Sequence, residues 1–116
     1  TGVGKAMLAF LPEDAQETAI RQQSFFRHTP ATIVDAPALR AELARIRAEG
    51  VARDREEHEP GIVCIAAPIL SSAGRVMGAL SLTGTAGMAA LEPHRKALLQ
   101  AAGQIAAAAE AWQFPG

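Results

Sequence analysis

Cysteine occurs once in these 116 residues, as Cys64, which excludes an internal disulfide framework and fits a reducing compartment. An excess of one charge is missing too: 11 Lys and Arg face 12 Asp and Glu, for a formal net charge of −1. With no basic block, the chain has little attraction for a nucleic-acid backbone, so any DNA binding by the parent protein belongs to another segment. Long hydrophobic runs are absent as well. The longest nearly uncharged stretch, residues 61–74, is too short to span a membrane as a helix and is broken by Pro68. No signal peptide is visible. His28 and His94 show no metal-ligand spacing with other residues, so neither a metal nor a cofactor is expected. What is present is 49% hydrophobic residues, enough to build a core for one compact cytoplasmic domain over residues 1–116.

The elements read in order. Gly2-Val3-Gly4 leads into an apolar helix over 5–11 that stops at Pro12, and Pro12-Glu13-Asp14 opens a second helix to about residue 23. Residues 24–34, with Phe25, Phe26 and Pro30, read as a connecting loop. Asp35 is a good N-cap for a helix that ends at Gly50, with Leu39, Leu43 and Ile46 at helical spacing. Three strands follow, near 51–57, 62–70 and 75–83, then a glycine-rich loop at 84–87. A last helix over 93–112 carries the stripe Leu98, Leu99, Ala102, Ile105, Ala106 and Ala109. Helices on either side of an antiparallel sheet in the sequence imply an α+β fold.

Counting along the strands brings chemistry to one face. Residues alternate sides, so Ile62, Cys64 and Ala66 share one side of the second strand. A hairpin centred near Glu59 sets Asp54 opposite Cys64. A two-residue connection at Ala73-Gly74 sets Cys64 opposite Thr83 and Ala66 opposite Ser81, and opposed residues point the same way. A bulge at Gly74 would shift this second pairing by one residue. The outcome is a polar cluster on an apolar wall, the composition of a small-molecule pocket.

Each of these residues also has a plain structural reading. Gly2 and Gly4 permit a tight turn, or the unpaired N–H groups of a helix N-terminus there favour a carboxylate. Cys64, between apolar neighbours, is either core packing or a pocket wall. A Cys64-His58-Asp54 nucleophile needs an adjacent base, and His58 falls in the hairpin loop. Asp54 is either a solvated edge carboxylate paired with Arg53 or Arg55, or a partner for a ligand hydroxyl or hydrated carbonyl. Ser81 and Thr83 either donate to a ligand oxygen or bond nearby backbone. The charge run Arg53, Arg55, Glu56, Glu57, His58 and Glu59 reads most simply as a solvated strand and loop.

Three segments, TGVGKAMLAFL, HTPATIVDAPALRAELARIRAEGVARDREEHEPGIVCIAAPI and GRVMGALSLTG, occur in one register from Thr1 to about Gly84. In that order they resemble the effector-binding domain of the IclR family of bacterial transcription regulators. The resemblance implies a GAF-like or profilin-like sheet and a sensing role, with no enzymatic activity. It implies that Gly2 and Val3 offer amides to an acidic effector and that Asp54, Ile62, Cys64, Ser81 and Thr83 line its pocket. Family members often carry serine where this chain has Thr83, which keeps the hydroxyl and adds a methyl group. The resemblance further implies a small carboxylate as ligand and a homodimer or homotetramer as the assembly. DNA would be contacted only through an N-terminal winged helix-turn-helix. With no initiator methionine and no strands ahead of TGVGK, the expectation is an N-terminally truncated effector-binding domain.

Overall fold

A computed structural model describes residues 2–22 and 35–112. The loop expected over 24–34 lies outside the described residues. In chain order the elements are α1 (Gly2–Ala9), α2 (Glu13–Gln22), α3 (Ala36–Glu49), β1 (Ala52–Arg55), β2 (Val63–Leu70), β3 (Val76–Gly84), α4 (Met88–Leu91), a 3₁₀ turn (Glu92–His94) and α5 (Arg95–Ala111). The strands form one antiparallel sheet in the order β1-β2-β3, and the fold is α+β as expected.

Strand β2 is the centre of the molecule, with its residues buried from Val63 through Pro68. Alternation sends them to two cores. Cys64 and Ala66 enter a core with Ala6 and Ala9 of α1, Ile20 of α2, and Leu39, Leu43 and Ile46 of α3. Val63, Ile65 and Ala67 enter a second core with Leu91, Leu98 and Ala102. Helices therefore cover both faces of the sheet, which is why β2 shows no polar residue at every second position. Ala6, Ala9, Ala52 and Ala66 are all fully buried, and these small side chains let α1 lie close to the strands.

Local chemistry sets the limits of α3. The Asp35 carboxylate accepts the Ala38 N–H at 2.7 Å, and Gly50, at φ 83°, returns its N–H to the Ile46 carbonyl. Other limits differ from the sequence expectation. Helix α1 starts at Gly2 instead of Lys5, because burial against the sheet overrides the weak helix preference of glycine. Strand β1 stops at Arg55, where Glu56 turns to φ 61° and the Glu57 N–H bonds back to Asp54. The short α4 at Met88–Leu91 was not expected, and the helix expected over 93–112 is found as α5, which begins at Arg95 after the 3₁₀ turn that holds Pro93. Its apolar stripe is narrower than expected: Leu98, Ala102 and Ala106 are buried, whereas Ile105 is 42% exposed and Ala109 faces solvent. Among the described residues, no helix is long and apolar enough to cross a membrane.

Candidate functional site

The strand pairing places Asp54 opposite Cys64, Cys64 opposite Thr83, and Ala66 opposite Ser81. This is the register expected from counting. The turn is not the two-residue connection expected at Ala73-Gly74: Ser71 and Arg75 close a three-residue one. The irregularity between Ile69 and Leu70 then shifts the pairing by one residue, from Leu70 opposite Val76 to Ile69 opposite Gly78, which restores the expected partners of Cys64 and Ala66. The connection itself is closed by Ser71, whose N–H bonds the Arg75 carbonyl and whose carbonyl accepts the Gly74 N–H. Asp54 and Cys64 are buried, Ser81 is half-buried on β3, and Thr83 is exposed near the end of that strand. Ile62 is half-buried just ahead of β2, held by its N–H to Glu59 and its carbonyl to Glu56.

Helix α1 brings the other half. Gly2 is buried directly on the sulfur of Cys64, so close that an added Cβ would lie 2.8 Å from Sγ and 3.7 Å from the Cβ of Ala66. The first N–H groups of a helix have no partner within it, and the helix dipole is positive there. The Gly2 and Val3 amides thus belong to the turn that stands on Cys64, the residue at the middle of the Asp54–Cys64–Thr83 row.

Asp54 is not the solvated edge carboxylate that one sequence reading allowed. It is 7% exposed, and among the described residues its carboxylate takes the Glu57 N–H on Oδ1 at 2.8 Å. Nor does Arg53 pair with it, because that guanidinium bonds Glu92 and Glu49 instead. The hydrogen bond to Glu92 is the main cause that raises the Arg53 pKa and holds the Glu92 carboxyl below its ordinary value.

Two residues that sequence reasoning left out tie these parts together. Lys5, 6% exposed in α1, donates to Glu57 Oε1 at 2.9 Å and Oε2 at 2.8 Å, and also to the Arg53 carbonyl. The charge run after β1 is therefore not simply solvated, since Glu57 turns inward to meet a buried ammonium. The available signal was a single lysine in the apolar segment KAMLAFL, a charge that needs a partner once the helix is packed.

Chemically, the face offers hydroxyl donors at Ser81 and Thr83, a carboxylate acceptor at Asp54, and main-chain N–H donors from α1. His58 lies exposed in the loop between β1 and β2 and is not one of the paired residues of the row. No group of three or more His, Cys, Asp or Glu among the described residues could hold a metal ion.

The sequence profile of the family described as bacterial transcriptional regulator IclR, C-terminal, matches residues 1–111. The chain belongs to the IclR family. Its relatives include the HTH-type transcriptional repressor AllR of Klebsiella pneumoniae, 41% identical over 86 residues, which are 74% of this chain and 32% of AllR. The chain thus spans about a third of the length of the curated relatives it matches. Among solved structures, Thermotoga maritima IclR superposes with a TM-score of 0.85 at 33% identity, over 91% of this chain and 44% of that one. The inducer-binding domain of the Acinetobacter transcription factor PobR, solved as a double mutant with 3-hydroxybenzoic acid, gives a TM-score of 0.81 at 28% identity. That likeness covers 91% of this chain and 63% of the PobR domain. The IclR C-terminal fold expected from the sequence is thus the one found.

Proposed function

We propose that this IclR C-terminal domain senses a small organic acid. The acid group meets the Gly2 and Val3 amides, and the rest of the ligand lies against Asp54, Ile62, Cys64, Ser81 and Thr83. The observation that carries this reading is the seating of Gly2 on Cys64, which sets a helix N-terminus over the one row of the sheet that has a carboxylate and a hydroxyl flanking a small side chain. The acid bound to the PobR domain supports the same ligand class. Asp54, as an anion, repels a carboxylate and so takes a ligand hydroxyl or hydrated carbonyl, while the amides take the charge.

Binding acts on DNA through another part of the regulator. A ligand shifts such a protein only as far as it prefers one assembly state over another. In this reading the domain works as a homodimer or homotetramer, and the effector changes how its copies or domains pack. It is a sensor and not a catalyst.

The test is a thermal-shift screen of small carboxylates on the full-length regulator, repeated with Asp54→Asn and Ser81→Ala. A ligand at about one hundred times its dissociation constant stabilises the folded state by about 2.7 kcal/mol. The expected result is a shift for wild type that is smaller in both variants. Equal shifts in all three proteins would place the site elsewhere.

A further inference from the structure

Lys5 and Glu57 make a nearly buried ion pair, with side chains 7% and 15% exposed. Such a pair is a poor source of stability, because desolvation offsets most of the attraction and apolar residues of similar size often do as well. Its geometry accounts for it better. The Lys5 ammonium is filled by both oxygens of Glu57 and by the Arg53 carbonyl of β1. Glu57 in turn accepts the Arg55 N–H on Oε2 at 3.3 Å and gives its own N–H to Asp54. Lys5 lies one helical turn from Gly2, and Arg53 is the chain neighbour of Asp54.

We propose that Lys5 is a positioning residue for the acid site, fixing Asp54 through Glu57 and fixing the first turn of α1 over β1 through the Arg53 carbonyl. The proposal rests on the acid-sensing reading above. Without the ammonium, the Glu57 carboxylate turns to solvent and no longer ties the loop after β1 to α1, so the loop backbone loosens and the Glu57 main-chain N–H holds Asp54 less firmly. The helix amides and the carboxylate then lose their fixed spacing, and a ligand that needs both must restore it on binding.

Two measurements on the full-length regulator test this with Lys5→Met, Lys5→Arg and Glu57→Gln. Hydrogen–deuterium exchange is followed in peptides covering residues 54–60 and, as reference, residues 98–106. Lys5→Met is expected to speed exchange in the first peptide and leave the second unchanged. Affinity is then measured for whichever of acetate, lactate, pyruvate and 3-hydroxybenzoate most stabilises the wild type. Lys5→Met is expected to weaken it about tenfold, with partial recovery in Lys5→Arg. Should Lys5→Met fail to fold, Glu57→Gln is expected to show both changes in smaller measure. Affinity within twofold of wild type in Lys5→Met and Glu57→Gln, or unchanged exchange over 54–60, overturns the proposal while the acid site stands. If none of the four acids stabilises the wild type, the acid-sensing reading itself falls, and this proposal with it.

Discussion

Gly2 and Cys64 share one space: a methyl group on the glycine would sit 2.8 Å from the cysteine sulfur, closer than packed side chains tolerate. The N-terminal end of α1 can rest on β2 only because one partner has no side chain. Gly2→Ala should therefore push the helix off the strand and cost about 1–3 kcal/mol in urea melts followed by circular dichroism. Removing the sulfur makes room, so Gly2→Ala combined with Cys64→Ala should lose less than the sum of the two single losses. Additive losses would show that the contact is looser than described.

Asp54 faces Cys64 across the β1–β2 pair with its Oδ1 already holding the Glu57 N–H. Asp54→Asn keeps an oxygen in place but removes the charge, so the loop after β1 is expected to persist. Thermal stability without ligand should change by less than about 1 kcal/mol if the amide oxygen takes over that bond. The response to an acid bearing a hydroxyl should fall more than the response to acetate, which has none. Calorimetric titration of lactate and acetate into both proteins checks the contrast.

Much of this site can be read from the sequence because strand registry is a counting problem. Asp54, Cys64, Thr83 and Ser81 fall into the counted row, although in the second hairpin a turn one residue longer than expected is offset by the irregularity at Ile69/Leu70. Asp35 and Gly50 were equally legible, since capping depends on neighbours a few residues away. What could not be counted is contact between elements far apart in the chain. Nothing local to Lys5 points to Glu57, 52 positions later, and nothing local to Gly2 points to the Cys64 sulfur. The helical start at Gly2 follows from the same long-range packing, so propensity alone placed that boundary too late.

Gly50 ends α3 in the left-handed region, at φ 83°, and an added Cβ would meet only Leu99 Cδ2 at an ordinary 3.7 Å. Space is therefore available and the backbone alone resists substitution. Gly50→Ala should cost roughly 1–2 kcal/mol in chemical denaturation, and Gly50→Asn less, because asparagine tolerates this conformation better. Both variants should bind ligand as the wild type does, since Gly50 lies on the link between α3 and β1 and not on the Asp54–Cys64–Thr83 row.

Arg53 and Glu92 join β1 to the turn before α5, and the sign of their acid dependence follows from the direction of one shift. The Arg53 hydrogen bond holds the Glu92 carboxyl below its ordinary pKa, so the unfolded chain binds this proton more readily than the folded one. Its contribution is fully present above the ordinary glutamate value and is lost as pH falls through the lowered folded-state value. Urea melts of wild type and Glu92→Gln from about pH 7 to about pH 3 should therefore show a stability difference that is largest at neutral pH and closes in acid. The Glu92 side chain is 37% exposed, so added salt should narrow the neutral-pH difference as well. A gap that stayed constant across the acid range would mean that the charge of Glu92 contributes nothing and that only its packing against Arg53 matters.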